Sequence, residues 1–171
     1  MSIKLVRIDD RLIHGQIVEA WIPYLEVTQI VVADDEISHD PWKKRIAEIS
    51  TPPDIRVIIE PVAEAVKHLC ADFLSATSPA TIILFASIEA VYQAIILGLP
   101  VKNLNLGNLH YEHGKTQISD SISLNTHEVE LLDKINNLGV NIYIQPVPKV
   151  PPQEIFACLN NKCICPKHRK T

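Results

Sequence analysis

Short runs of β-branched and other aliphatic residues alternate along the chain with stretches in which apolar residues recur every three or four positions. Runs of the first kind predict buried β-strands, and stretches of the second kind predict amphipathic helices. The predicted strands cover residues 3–8, 29–33, 55–59, 81–85, 102–106 and 141–145. This alternation is typical of a single α/β domain with a mostly parallel central sheet and helices on both faces.

Several predicted helices begin at residues that suit a helix N-terminus. Asp40 can cap a helix whose first residue is Pro41, and Ser87 can cap another. Asn125 and Glu128, three positions apart, form a variant of the capping box. The helix after Asp40 has an apolar stripe on one face, formed by Trp42, Ile46 and Ile49.

Two segments depart from the regular alternation. Residues 107–123 contain turn-forming residues and weak alternation, which predict a short antiparallel hairpin at the edge of the sheet. Four prolines between residues 146 and 152 end the regular pattern. We therefore divide the chain into a domain of residues 1–150 and a C-terminal appendage of residues 151–171.

The appendage carries a small group of thiols and one imidazole, formed by Cys158, Cys163, Cys165 and His168. Their spacing matches no standard zinc pattern, so a metal site or a redox clip is the less favoured interpretation. We expect instead a last helical turn in which Ile155, Phe156 and Leu159 pack.

Composition and charge narrow the class of protein. Apolar residues make up 47% of the chain and aromatic residues only 5%, which fits aliphatic strands buried on both faces. The formal charge of −4 argues against a nucleic-acid binder, which needs a basic face. The N-terminus does not resemble a signal peptide, and no apolar run approaches the roughly 18 residues that span a bilayer. We therefore expect a cytosolic protein with free thiols.

Candidate chemistry is concentrated in the loop after the first predicted strand, which reads Asp9-Asp10-Arg11-Leu12-Ile13-His14-Gly15-Gln16. A neutral imidazole is nucleophilic at one ring nitrogen when a fixed acceptor holds the proton on the other. Either Asp9 or Asp10 can be that acceptor for His14. Arg11 offers a planar set of donors for phosphate oxygens.

The start of the following helix adds a second element to this site. Free backbone N–H groups at Gly15 and Gln16 favour an anion and disfavour a charged imidazolium. Gly15 also lets a phosphoryl group approach the backbone without a side chain in the way. Taken alone, however, these residues fit a surface loop better, in which Asp10 and Arg11 form an ion pair, because their spacing does not by itself establish a site.

The run of residues 9–16 resembles the signature of the enzyme IIB subunits of the mannose–fructose–sorbose family of the bacterial sugar phosphotransferase system. It lies after the first strand, where that family has it. Shorter segments resemble the family as well, at residues 31–36, 103–107 and 114–115. The resemblance covers about residues 2–150.

The resemblance implies a transferase in which His14 accepts a phosphoryl group from a phosphohistidine on a IIA protein. The group then passes to a sugar held by the membrane IIC–IID pair, which brings the protein to the inner face of the membrane. By the same resemblance Arg11 steadies the phosphoryl group and Asp9 orients the imidazole, with Asp10 as a further member of the site. Such a transfer needs in-line positioning and charge neutralisation, so we expect no metal or cofactor.

A second polar loop, residues 107–115, is predicted at the same edge of the sheet. Its residues Gly107, Asn108 and Lys115 are candidates for the far wall of the phosphoryl pocket, with Lys115 adding positive charge. A solvated surface loop is an equally good interpretation. Related proteins commonly have a second glycine where Asn108 stands.

The sequence also bears on two other functions. A module that signals through its phosphorylation state would use the same loop, so the sequence does not separate it from a transport component. A nucleotide-binding enzyme of the Rossmann type is disfavoured, because the first loop lacks Gly-x-Gly-x-x-Gly. The sequence leaves open both the sugar and the oligomeric state, a homo-oligomer included.

Overall fold

The strands and helices are those of a computed structural model, which describes residues 2–72 and 79–161. The strands are β1 Ser2–Asp9, β2 Gln29–Ala33, β3 Arg56–Glu60, β4 Ala80–Phe85, β5 Asn103–Asn108, β6 Thr116–Gln117, β7 Ser123–Leu124, β8 Asn141–Ile144 and β9 Gln153–Glu154. The helices are α1 Ile22–Leu25, α2 Pro41–Ile49, α3 Val62–Asp72, α4 Ile88–Ile96, α5 Thr126–Asn137 and α6 Ile155–Asn161. A π-helical turn, Gln16–Trp21, leads directly into α1, and a 3₁₀ turn, Ile37–His39, precedes α2. No helix in this part of the chain has the length and apolar character to cross a membrane.

The main sheet has seven strands in the order β3-β2-β4-β1-β5-β8-β9. Its strands are parallel except β9, which runs antiparallel to β8. All the predicted strands are confirmed as members of this sheet. The predicted antiparallel excursion is also found, as the separate pair β6–β7.

Apolar residues cover both faces of the sheet, because successive side chains of a strand point to opposite sides. On one face, β1 residues Val6 and Ile8 pack in a cluster that includes residues of α3, α4, α5 and α6. On the other face, Leu5 packs in a smaller cluster with Ile17 and Trp21 from the first helical segment. The prediction of helices on both faces is confirmed.

Helix α2 packs differently from the other helices. Asp40 caps it by accepting hydrogen bonds from the backbone N–H groups of Trp42 and Lys43, as its sequence predicted. None of its residues is buried. Its apolar stripe points to solvent, with Trp42 80%, Ile46 62% and Ile49 69% exposed.

The last described segment packs on the larger core cluster. Ile155 and Leu159 of α6 are fully buried, and Phe156 packs partly against the same cluster. The thiols of Cys70 and Cys158 are free. Cys163, Cys165 and His168 lie outside the described residues, as does most of the sequence on which a zinc site or redox clip would depend.

Candidate active site

The candidate site lies at the carboxyl edge of the sheet, where β1 and β5 end side by side. Asp9 is the last residue of β1 and pairs with Asn108, the last residue of β5, after a shift in register that follows Ile8. The backbone N–H of Asp10 donates to the carbonyl of Asn108 at 3.1 Å. The loops of residues 9–16 and 107–115 therefore begin next to each other, as the parallel topology predicted.

A tight turn brings His14 back over the end of β1. The N–H of Leu12 donates to the carbonyl of Asp9 at 2.9 Å, and Leu12 has a left-handed backbone with φ of 51°. The side chain of Leu12 is buried, which anchors the turn to the smaller core cluster. The carbonyl of His14 then accepts from the N–H groups of Ile17 and Val18, at the start of the π-helical turn.

The imidazole of His14 is held by the carboxylate of Asp9. Its Nε2 lies 2.8 Å from Asp9 Oδ2, and the carboxylate is fully buried while the imidazole side chain is 16% exposed. Because an ionised carboxylate only accepts, Nε2 carries the proton of this hydrogen bond. The other ring nitrogen, Nδ1, keeps its lone pair and faces the backbone N–H of Gln16 at 3.4 Å.

Arg7, which the sequence analysis did not select, is the buried partner of Asp9. Its Nη2 and Nε lie 2.9 and 3.2 Å from Asp9 Oδ2, and the side chain is fully buried. The same guanidinium donates to Asn105 Oδ1 and to the carbonyls of Gln145 and Pro146, and it lies 5.6 Å from the ring centroid of Trp21. The available signal was a charged residue between Val6 and Ile8, in the apolar half of the strand that leads to Asp9.

Gly107 lies directly against this guanidinium. A Cβ atom at Gly107 would stand 1.9 Å from Arg7 Cζ and 2.0 Å from Nη2, far inside van der Waals contact. Only glycine therefore leaves room for Arg7 in its observed position. Gly107 was predicted as part of the pocket wall, whereas the contact that requires it is with Arg7.

The charges of Asp9 and Arg7 stabilise each other in the interior. Burial raises the pKa of Asp9, but the hydrogen bond from His14 and the charge of Arg7 outweigh it, so its pKa lies below the ordinary value. Burial lowers the pKa of Arg7, and the carboxylate of Asp9 opposes that effect. Asp9 is therefore an anion at neutral pH, able to hold a proton on Nε2 of His14.

Arg11 lies on the solvent side of the same carboxylate. Its backbone N–H donates to Asp9 Oδ1 at 3.2 Å, and its Nε lies 3.6 Å from that oxygen. The side chain is 49% exposed, and Nη2 lies 3.5 Å from Gln16 Oε1. The structure thus brings Asp9, Arg11, His14 and Gln16 together.

Asp10 points away from this group and binds the second loop. It accepts from Asn108 Nδ2 at 2.6 Å and from the backbone N–H of His110 at 2.7 Å, and it also pairs with His110 Nδ1. Of the two carboxylates that the sequence offered to the imidazole, Asp9 is the one in contact with it. Asp10 and Asn108 instead join the two loops.

Lys115 has its own carboxylate partners. Its Nζ lies 2.9 Å from Glu128 Oε1 and 3.6 Å from Glu112 Oε2. Burial lowers the pKa of Lys115, but the two carboxylates outweigh it and raise the pKa above the ordinary value. The predicted place of Lys115 in the phosphoryl pocket stays a prediction. The positive charge of Lys115 is already balanced by Glu128.

Gly15 is exposed, and an added Cβ there would meet no atom within 4 Å apart from its chain neighbours and the backbone of its own helix. Among residues 2–72 and 79–161, no group of three or more His, Cys, Asp and Glu side chains is arranged to hold a metal ion. The contacts within the site join a histidine, a buried carboxylate and two arginines, a set whose chemistry suits phosphoryl transfer through an imidazole.

Comparisons with known proteins identify the family of the chain. The family described as the sorbose subfamily IIB component of the PTS system matches residues 3–169. The sorbose-specific EIIB component of Lacticaseibacillus casei is 30% identical over 157 residues, which are 92% of this chain and 94% of that protein. The mannose-specific EIIAB component of Escherichia coli is 28% identical over 151 residues, which are 88% of this chain and 46% of that longer protein.

A solved structure supports the same assignment. The IIBSor domain of the sorbose permease from Klebsiella pneumoniae superposes with a TM-score of 0.89 and 25% sequence identity, over 96% of this chain and all of that one. Both the sequence match and the fold thus extend over nearly the whole chain. The chain belongs to the sorbose subfamily of IIB components of the sugar phosphotransferase system.

Proposed function

We propose that His14 is the phosphoryl carrier of this IIB component. It accepts the group from a phosphohistidine on a IIA protein and passes it to a sugar bound by the membrane IIC–IID pair. The observation that carries the proposal is the 2.8 Å contact between His14 Nε2 and buried Asp9 Oδ2, which leaves Nδ1 as the nucleophile.

The first step is an in-line displacement at phosphorus. The lone pair of His14 Nδ1 forms a bond to phosphorus while the bond from phosphorus to the donor's ring nitrogen breaks, and the electron pair returns to that nitrogen. The proton on Nε2 stays in place. Asp9 stabilises the positive charge that the ring gains, because the carboxylate remains ionised beside it.

The second step regenerates the free imidazole. A sugar hydroxyl oxygen forms the new bond to phosphorus, the Nδ1–phosphorus bond breaks, and the lone pair returns to Nδ1. The hydroxyl proton passes to a base on the acceptor side or to water. The proton on Nε2 takes part in neither step, so one protonation state of the ring serves both.

Two groups beside the ring suit the charge on the phosphoryl oxygens. Arg11 is half-exposed next to Asp9, and its guanidinium can donate to two oxygens at once. The N–H of Gln16 already faces Nδ1 and can donate to a phosphoryl oxygen when that nitrogen is occupied. Arg7 acts behind the carboxylate: its bonds to Asp9 Oδ2 fix the acceptor that positions the ring.

The names of the relatives support the two partners. The mannose-specific relative is named an EIIAB component, and this chain covers 46% of it, which fits a B part joined to an A part. The K. pneumoniae relative is a domain of a sorbose permease. A donor of the A type and an acceptor within a permease follow for this chain by analogy.

Intact-mass analysis with the phosphoryl relay tests the carrier step. The chain, incubated with phosphoenolpyruvate, enzyme I, HPr and a IIA protein from the same organism, should gain one acid-labile phosphoryl group. His14→Ala should gain none, and His127→Ala, a matched change of an exposed histidine on α5, should gain it normally. Normal labelling of His14→Ala would place the phosphoryl site elsewhere.

A second assay tests the acceptor. Membranes that contain the IIC–IID pair and a radiolabelled sugar should remove the phosphoryl group from the labelled chain and yield sugar phosphate. A chain that is labelled on His14 but loses no phosphate to any sugar would be a signalling module instead.

A further inference from the structure

The apolar stripe of α2 is exposed next to the candidate site. In the part of the chain that the structure describes, nothing covers Trp42, Ile46 or Ile49. These residues follow one another at positions i, i+4 and i+7, so they form a continuous row on one side of the helix. A row of three large apolar side chains at 62–80% exposure is typical of a surface that a partner covers.

A groove joins this helix to the catalytic loop. It has a volume of about 180 Å³, and its walls include Arg11, Leu12 and Ile13 of the loop and Lys43, Ile46 and Ala47 of α2. Arg11 thus borders both the groove and the carboxylate that holds His14. The α2 surface, defined as Trp42, Lys43, Ile46 and Ile49, is therefore continuous with the candidate site.

We propose that the α2 surface docks the phosphoryl donor, a protein whose phosphohistidine is set in an apolar patch with an acidic rim. The inference rests on the function proposed above for His14. It adds which part of this chain recognises the donor and what surface chemistry the donor presents.

The reach of a protein–protein interface favours this occupant. The donor's phosphohistidine must approach His14 Nδ1 to bonding distance, so the donor's surface must lie across the loop of residues 9–16. A standard interface covers about 800 Å² per partner, a disc that extends roughly 16 Å from its centre. Such a disc centred on His14 extends across Arg11 and the groove onto α2.

The local charge favours an acidic rim on the donor. The chain as a whole has a formal charge of −4, yet Lys43 lines the same groove as half-exposed Arg11. Lys43 forms no ion pair within residues 2–72 and 79–161, whereas the nearby Arg45 pairs with Glu48. A second copy of this chain packed on the same surface by two-fold symmetry would set these cations against one another.

A matched pair of truncations tests the apolar part. Transfer from the phosphorylated IIA protein is followed in single turnovers at increasing donor concentration. Trp42→Ala and Ile46→Ala should each raise the half-saturating concentration, Trp42→Ala by about tenfold, because exposed tryptophans that become buried dominate interface energetics. The maximal rate at saturation should stay within about twofold, since truncation weakens docking and not chemistry.

Ile96→Ala is the control for these truncations. It removes an isoleucine of the same exposure, 61%, from α4 on the other face of the sheet, and it should change neither the half-saturating concentration nor the maximal rate.

A matched pair of charge reversals tests the basic part. Lys43→Glu should slow transfer at low donor concentration, and the difference from wild type should shrink as salt screens the charges. Lys134→Glu makes the same change of net charge at an exposed position of α5 and should have little effect. Thermal unfolding of every variant shows whether it remains folded. We expect each of them to fold, because the substituted positions are exposed.

Several results would overturn the inference. Equal half-saturation by wild type, Trp42→Ala and Ile46→Ala would exclude docking on α2. Docking on α2 would also be excluded if Trp42→Ala transferred phosphate normally but no longer self-associated, because the surface would then belong to a second copy. If Trp42→Ala transferred normally but no longer bound vesicles of anionic lipid, the surface would belong to the membrane. If wild type itself takes no phosphate from the donor, it is the function proposed for His14 that fails. Sedimentation and vesicle binding of wild type and Trp42→Ala then show, without a transfer assay, whether a second copy or a membrane covers the α2 surface.

Discussion

The guanidinium of Arg7 fills the space that the missing side chain of Gly107 leaves open. Arg7 Cζ would stand 1.9 Å from a Cβ at that position. Gly107 leaves room for Arg7, the guanidinium of Arg7 holds Asp9, and Asp9 holds the imidazole of His14. Gly107 itself could touch a phosphoryl oxygen only through its backbone. The position of the imidazole thus depends on a residue about ninety positions further along the chain.

Gly107→Ala should therefore impair both stability and phosphoryl transfer. The added methyl group cannot fit unless the buried guanidinium moves and loses bonds to Asp9, so we expect a loss of about 2–4 kcal/mol in the free energy of unfolding. Urea denaturation measures this loss, and the rate of labelling by a phosphorylated IIA protein measures the effect on the site. Gly15→Ala is the control for stability, because its backbone is right-handed helical and its surroundings are open. A stable and fully active Gly107→Ala would mean that Arg7 can leave its place without harm.

Arg11→Ala should slow transfer while leaving the fold stable. The side chain is half-exposed, and its closest contact with Asp9 is at 3.6 Å, so its loss should change the free energy of unfolding by less than about 1 kcal/mol. Removal of a donor for the phosphoryl oxygens should cost about a hundredfold in rate. Single-turnover labelling at saturating donor separates the two effects. Arg45→Ala is a suitable control, since Arg45 is an exposed arginine on α2 that pairs with Glu48. An unfolded Arg11→Ala would make Arg11 a structural residue.

The parts of the fold that the sequence predicted are those that depend on local patterns. The strands were predicted because aliphatic runs of five or six residues suit a sheet buried on both faces, and the start of α5 because Asn125 and Glu128 cap each other. The loop of residues 9–16 was found because its residue types and order are specific. All of this information lies within short segments.

The parts that the sequence did not predict depend on contacts between distant segments. Arg7 was not selected as a site residue because its partners Asn105 and Gln145 lie 98 and 138 positions away. Asp9 and Asp10 could not be told apart because β1 continues to Asp9, one residue past its predicted end, and this end decides which carboxylate faces the imidazole. The sequence likewise did not predict that the α2 stripe faces solvent. Periodicity shows that residues share one face of a helix, but it does not show whether that face packs on the protein or lies exposed.

The stability of the protein should depend on pH through Asp9. The pKa of Asp9 is lower in the folded chain than its ordinary value of about 3.9, so its ionised form stabilises the fold. This contribution is complete above the unfolded pKa and is lost as the pH falls through the folded pKa. Asp9→Asn should therefore be less stable than wild type at pH 7, and the difference should diminish as the pH is lowered below about 4. Urea denaturation of both proteins across this range measures the difference directly. A constant difference would mean that the charge of Asp9 contributes nothing.

The same substitution should reduce phosphoryl transfer at neutral pH. An asparagine can donate to Nε2 as well as accept from it, so the proton of His14 is free to move to Nδ1 and block the nucleophile. We expect a rate lower by at least about a hundredfold, as for other changes that disturb a proton needed in one position. Asp10→Asn is the matched control, because Asp10 binds Asn108 and His110 and not the imidazole. Equal losses in the two variants would point to the loop as a whole and not to the Asp9–His14 contact.

Lys115→Met separates a structural role of Lys115 from a role in the phosphoryl pocket. Its ammonium is 2.9 Å from Glu128, whose side chain is only 8% exposed and also caps α5, so removal leaves a mostly buried carboxylate without its cation. We expect a loss of about 1–3 kcal/mol in the free energy of unfolding, with a transfer rate within about twofold of wild type. Because the folded pKa of Lys115 is raised, the stabilisation should be complete below about pH 10 and disappear as the pH rises through that folded value. The double variant Lys115→Met, Glu128→Gln should recover part of the stability, since no uncompensated charge then remains. A transfer rate that drops more than tenfold in a folded Lys115→Met would instead place the ammonium against the phosphoryl group.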